Sequence, residues 1–176
     1  MKDKYITTPL TYEKVKDLKM GDFIFLSGII YTARDAAHER FVKLIEDGKE
    51  LPFPLQDATI YYVGPTPTKP GQVIGSCGPT TSYRMDTYSP LLISNGLRGM
   101  IGKGKRNPEV IEAMKKYHAV YLAGIGGAAA LTADCIVSQE LICYEDLGAE
   151  AVRKLEVKNM PLIVAIDING NDIFER

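Results

Sequence analysis

A chain of 176 residues, 45% hydrophobic and 24% charged, is long enough for one ordinary domain with a real core and too apolar to be disordered. A formal net charge of −1 argues against nucleic acid or an anionic membrane surface as the main partner. Three cysteines, Cys77, Cys135 and Cys143, are an odd number without C-x-x-C spacing, which disfavours a disulfide framework or a zinc site and points to a reducing cytoplasm. Cys135 and Cys143 stand among apolar neighbours and are expected to be buried structural thiols rather than ligands. No apolar run approaches the length of a bilayer span, and no apolar leader follows Met1-Lys2-Asp3-Lys4-Tyr5, so neither membrane insertion nor secretion is expected.

In chain order, Thr11–Lys19 reads as a short exposed helix or turn, and Phe23–Ile30 as a buried strand. Arg34–Asp47 places Ala37, Phe41, Leu44 and Ile45 on one helical face, with Gly48 as the stop. Leu51-Pro52-Phe53-Pro54 is a rigid connector, Ala58–Val63 a second strand, and Gln72–Ile74 a short one. A helix is expected over Thr80–Ser94, with Met85, Tyr88, Leu91 and Leu92 inward and Pro90 kinking or interrupting it. Met100-Ile101 is a short strand, and Asn107-Pro108-Glu109 starts a helix with proline in its first position. Ala119–Ala123 is a strand, and Gly124–Ala133 a small-residue turn into a helix. Leu162–Ile168 is a strand that Asn169-Gly170 turns into a hairpin with Asn171–Phe174. The alternation of strands and helices predicts an α/β fold with a mixed, partly parallel sheet flanked by helices, residues 1–176 forming a single domain.

Three polar loops each follow a strand and precede a helix, where open α/β sheets place their ligands. In Thr32-Ala33-Arg34-Asp35-Ala36-Ala37-His38, Arg34 and His38 lie one helical turn apart, and Asp35 suits a helix start. The plain alternative is a cap with a surface Arg–Asp pair. In Gly75-Ser76-Cys77-Gly78-Pro79-Thr80-Thr81-Ser82-Tyr83-Arg84-Met85-Asp86, three consecutive hydroxyls at a helix N-terminus make an anion site, with Arg84 one turn below Thr80. Capping by Thr80 or Thr81 explains one hydroxyl but not three and an arginine. Gly102-Lys103-Gly104-Lys105-Arg106 continues a P-loop spacing that begins at Gly99. Arg106, however, stands where magnesium binding needs Ser or Thr, so nucleotide hydrolysis is rejected and a flexible basic loop remains. Gly124-Ile125-Gly126-Gly127-Ala128 has Ala129 in place of the third glycine of a dinucleotide turn, and close helix–strand packing is its expected role.

Taken together these loops resemble the β subunit, or C-terminal domain, of class I fumarases and L-tartrate dehydratase. The matching stretches are Ile30–His38, Tyr61–Pro67, Gly78–Asp86, Gly102–Gly104 and Gly124–Ala130, in order along most of the chain. The resemblance implies a swivelling β/β/α-type domain and reversible addition of water to a dicarboxylate, as in fumarate to malate. It implies a [4Fe–4S] cluster carried by an α subunit and none bound by this chain, in an α2β2 or similar assembly. By the same resemblance, Arg34, Thr80, Thr81 and Arg84 bind the substrate, and Thr80, Lys103 and Arg34 are the catalytic candidates. Asp35 and His38 would orient them, and no metal ligand is expected.

The chemistry fits that division. Arginine's planar fork suits carboxylates, and a dicarboxylate needs two cationic clamps, here on separate loops. Removing a proton beside a carboxylate builds negative charge that fixed cations stabilise. Thr80 is either an assisted base or a hydrogen-bond donor that positions the substrate. Fumarate is the leading substrate, with tartrate as the near alternative and a non-catalytic anion-binding or regulatory domain as the alternative of a different class.

Overall fold

The structure, a computed structural model of the chain, describes residues 3–124 and 133–175. Its strands are β1 (Lys4–Thr7), β2 (Phe23–Thr32), β3 (Thr59–Tyr61), β4 (Gly99–Gly102), β5 (Val120–Gly124), β6 (Ile136–Cys143) and β7 (Val152–Ile166). Its α-helices are α1 (Tyr12–Val15), α2 (Asp35–Glu46), α3 (Ser89–Ser94) and α4 (Pro108–Tyr117). The strands form one seven-stranded mixed sheet in the order β1-β2-β3-β4-β5-β7-β6. Strands β1 to β5 pair in parallel, and β7 runs antiparallel to β2, β5 and β6. Because β7 pairs with both β5 and β2, the strands β2-β3-β4-β5-β7 close into a ring.

Alternation along the strands gives the ring two faces. Ile24, Leu26 and Ile30, Tyr61, Ile101, Val120 and Leu122, and Leu155, Leu162 and Val164 belong to one buried cluster inside the ring. The intervening Ile60, Met100 and Tyr121 face a second cluster under the helices, with Phe41 of α2, Leu92 and Ile93 of α3, and Val110 and Met114 of α4. Helix α2 buries Ala37 and Phe41, four residues apart on one face, and removing a ring such as Phe41 from water contributes about 1.5–3 kcal/mol. Helix α4 starts as its sequence predicts, with Pro108 in the first turn and the Asn107 side chain accepting from Val110 N at 3.0 Å.

The mixed α/β class is as expected, but several elements differ. Strand β1 is only four residues long, β6 is mostly exposed or half-buried, and the first half of β7 carries Arg153, Lys154, Glu156 and Lys158, so none of them reads as a buried strand. Pro161 also breaks the apparent run. It is tolerated because it lies between the last β6 pairing, at Val157, and the first β5 pairing, at Leu162, where no described strand pairs with that edge of β7. No strand forms over Gln72–Ile74, where Gln72 N donates to Lys69 O in a turn. The expected helix from Thr80 to Ser94 is a 3₁₀ turn, Ser82–Met85, followed by α3, with Pro90 in the first turn of α3. Proline is better placed starting a helix than inside one. The expected terminal hairpin keeps one bridge, Ile166 to Asp172, before a 3₁₀ turn. The Asp167 carboxylate accepts the N–H groups of Met20, Asn169 and Asn171 and winds the chain into a knot of local bonds there. Cys135 and Cys143 are half-buried rather than buried. The glycine-rich turn after Gly124 lies mostly outside the described residues.

Candidate active site

The parallel register brings the C-terminal ends of β2, β3, β4 and β5 side by side, through Thr32 against Tyr61, Tyr61 against Ile101 and Gly102 against Ala123. The candidate residues leave from these ends. Ala33 N donates to Tyr61 O at 3.1 Å, which sets Arg34 beside the end of β3. The segment after Gly78 returns to the same edge. Thr80 N donates to Tyr62 O at 2.7 Å, Lys103 N to Thr80 O at 3.3 Å, and Ser82 N to Lys103 O at 2.9 Å. Thr81 and Lys103 thus form a parallel bridge beyond the end of β4. The close approach requires a glycine before Lys103. A Cβ on Gly102 would lie 2.0 Å from Ser82 Oγ and 2.8 Å from Tyr62 Cδ2.

Two expectations from the sequence do not hold in the structure. Thr80, Thr81 and Ser82 do not head an α-helix, so no helix dipole faces an anion, and Arg84 does not share a helical face with Thr80. Thr80 and Thr81 are tied to two strand ends instead, and Ser82 opens the 3₁₀ turn. The loop around Lys103 is not a flexible basic turn either. Its backbone is bridged, and Arg106 is a fully buried core cation. Above that framework, the side chains of Arg84 and Lys103 are exposed and make no hydrogen bond or ion pair among the described residues. Arg34 is partly buried, with Nε 3.8 Å from Asp35 Oδ1 and 3.9 Å from Glu150 Oε1.

Beneath the loops lies a polar network that sequence reasoning missed. Arg106 donates from Nε to Asp86 Oδ1 at 2.6 Å and from Nη2 to Ser89 Oγ at 2.9 Å and Tyr62 Oη at 3.3 Å. Its guanidinium lies 4.8 Å from the Tyr121 ring centre and 5.3 Å from that of Tyr62. Asp86 Oδ2 accepts Asn107 N at 2.8 Å and so ties α4's start to the 3₁₀ turn. Tyr121 donates to Gly104 O at 2.9 Å and therefore accepts from Ser82 Oγ at 2.7 Å. Burial raises the Tyr121 phenol well above its ordinary value, against the Ser82 hydrogen bond and Arg106, so it stays a donor. Asp86 closes the Gly78–Asp86 stretch and Arg106 closes the basic run. Their joint burial had no signal in spacing alone.

His38 is buried against Phe41, Tyr62 and Tyr88 rather than facing the site. Its Nδ1 lies 2.8 Å from Arg34 O, which only accepts, so Nδ1 carries the proton and the ring braces the Arg34 backbone. Burial lowers its pKa to about 4, helped by Arg106 and opposed by the Arg34 carbonyl bond and Asp35. Among the described residues no three His, Cys, Asp or Glu side chains gather as a metal-binding group. Cys77 is buried with Sγ donating to Gly75 O at 3.3 Å, and burial pushes its thiol up to about 11. Cys135 Sγ donates to Asn159 O at 3.8 Å, and Cys143 sits at the far end of β6.

The sequence model of the fumarase C-terminus family matches residues 3–176. The chain belongs to this family. It is 40% identical to a Methanocaldococcus jannaschii protein whose provisional name is L(+)-tartrate dehydratase subunit beta, over 98% of this chain and 91% of that one. It is 43% identical to the anaerobic class I fumarate hydratase of Escherichia coli, over 86% of this chain but 28% of the enzyme. Fumarate hydratase 2 of Leishmania major is 37% identical, over 93% of this chain and 29% of the enzyme. The chain thus spans under a third of the length of these fumarate hydratases. Among the described residues no helix is long and apolar enough to cross a membrane.

Two predictions follow from the buried groups. Replacing Asp86 by Ala strands the Arg106 charge and should cost about 3–5 kcal/mol in urea unfolding, whereas Asp86→Leu with Arg106→Met should cost less than the single change. An equal or larger loss in the double variant would show that the pair is not the unit of stability. For His38, the folded pKa lies below the unfolded value, so the unfolded state binds a proton first as pH falls. Stability should be complete above pH 6.5, decline between about 6.5 and 4, and lose about 3 kcal/mol in total. Denaturation of His38→Gln across that window should show a flatter slope than the wild type.

Proposed function

We propose that this chain, as one domain over residues 1–176, is the β subunit of a two-chain hydro-lyase of the class I fumarase type. It hydrates fumarate to L-malate reversibly in the cytoplasm. The observation that carries the reading is the placing of Thr80, Thr81 and Lys103 on one backbone bridge beside Arg34, with Arg84 on the turn that follows. Arg84 and Lys103 have no charge partner among the described residues. Unpaired cations on a backbone already tied to strand ends suit a small dianion, because the loops that carry them need little further ordering on binding.

In this reading Arg34 and Arg84 grip the two carboxylates of the substrate. Lys103 and one arginine face the carboxylate next to the carbon that loses its proton, where negative charge grows. The Thr80 hydroxyl reaches the substrate from the same edge, with its backbone fixed by Tyr62 O and Lys103 N. Class I fumarases use a [4Fe–4S] cluster. Cys77, Cys135 and Cys143 do not gather as ligands among the described residues, so in this reading the α subunit carries the cluster, in an α2β2 or similar assembly. The full-length match to the L(+)-tartrate dehydratase subunit beta favours tartrate as the second reading, since both acids present two carboxylates.

Activity of the reconstituted pair on fumarate and on tartrate tests the assignment, and a pair inactive on both would overturn it. In the active pair, Arg34→Ala and Arg84→Ala should each lower kcat/KM by about 2–5 kcal/mol while thermal unfolding changes little. Lys103→Met should lower kcat strongly and Lys105→Met only mildly. Equal mild losses would remove Lys103 from the chemistry.

A further inference from the structure

We propose that Glu150 is a positioning residue for Arg34, holding the Nε edge of the guanidinium so that its Nη1/Nη2 edge is presented to a substrate carboxylate. The inference rests on reading Arg34 as a carboxylate clamp and adds a residue outside the loops that supply the site. Arg34 Nε, Asp35 Oδ1 and Glu150 Oε1 are all buried, and none has a hydrogen-bond partner. Buried polar atoms without hydrogen bonds are costly unless another interaction compensates. Here the compensation is charge, with the two carboxylates 3.8 and 3.9 Å from Nε. Nε is also the nitrogen of the guanidinium that both acids approach, which leaves the opposite edge to a ligand.

Glu150 is delivered by a strap that is fastened at both ends. The segment leaves β6 at Tyr144, whose backbone is left-handed at φ 61°, and runs through Glu145–Glu150, 3₁₀ turns broken by a kink at Gly148, to β7. At its start, Arg40 of α2 donates to both oxygens of Asp146, at 3.0 and 2.6 Å, and lies 4.8 Å over the Tyr144 ring. At its end, Thr32 Oγ1 donates to Ala151 O at 3.3 Å and accepts Arg153 N at 3.0 Å. Thr32 ends β2 and Arg40 lies on α2, so the fastenings stand on either side of Arg34 in the sequence. Gly64 packs against the arginine from the end of β3's extension. A Cβ there would lie 3.3 Å from Arg34 Nη1, 3.4 Å from its Cδ and 3.3 Å from Ala149 O. The arginine is thus confined between β3's extension and the strap. A surface ion pair alone would need neither the fastenings nor the bare glycine.

The test is a double-mutant cycle in the assembled enzyme. Glu150→Gln should lower kcat/KM for the dicarboxylate about tenfold, mainly through KM, in the wild-type background, and less than about twofold in an Arg34→Ala background. Asp146→Asn, remote from the substrate, should loosen the strap and give a loss in the same direction of about threefold. In the free chain, the Arg34 Nε–H resonance should shift and exchange faster with water in Glu150→Gln. Wild-type kinetics for Glu150→Gln, an equal loss without Arg34, or an unmoved Nε–H signal would each overturn the proposal. An assembled wild-type enzyme inactive on every dicarboxylate would remove the assigned function instead, and the resonance would still decide whether Glu150 holds Arg34.

Discussion

The ion pair between Arg106 and Asp86 is the constraint on which the candidate site depends. Its two side chains are almost wholly removed from water. A charge in that position persists only with its partner and with its remaining donors satisfied. Arg106 meets that condition through Ser89, Tyr62 and two aromatic faces, and Asp86 through the first turn of α4. Five separate pieces of chain are thereby obliged to meet at one point: the end of β3, the 3₁₀ turn, α3, the loop after β4 and β5. The turn that carries Arg84 and the bridge between Thr81 and Lys103 are surface features of that meeting.

The arrangement separates cations by their surroundings. Arg106 is spent entirely on the protein, whereas Lys103, on the same loop, and Arg84, beside Asp86 in sequence, project without a partner among the described residues. Arg34 stands between these cases, partly buried and facing two carboxylates. Rigid backbone below and uncommitted charge above is what recognition of a small dianion asks for. The ordering entropy of the loops is lost on folding and not again on binding. His38 adds to the rigidity from within the core, because a neutral imidazole bonded to Arg34 O fixes the backbone from which the clamp projects.

How much of this could be read beforehand differs from residue to residue. The strand before Arg34, the helix after it and the proline-led start of α4 were legible because each is encoded locally, by periodicity and caps. The loops of interest were legible because strand ends in α/β sheets are where ligands gather. Thr80 to Ser82 were misread as a helix start because hydroxyls followed by an apolar stripe look alike whether the segment coils at once or first runs along a neighbouring strand. Tertiary pairing with Tyr62 and Lys103 decided between them.

The sequence by itself determined the mixed α/β class, the family likeness and which polar loops carry unusual concentrations of arginine, threonine and lysine, since all of these depend on residue type and short spacing. Only the tertiary structure decided that β7 closes the strands into a ring and that Arg106 is a core residue while Lys103 is not. It alone brought Glu150, 116 positions beyond Arg34 in the numbering, to that arginine's side. Charge and hydrogen-bonding capacity are properties of a side chain, but whether a charge faces water or a buried partner is a property of the packing around it.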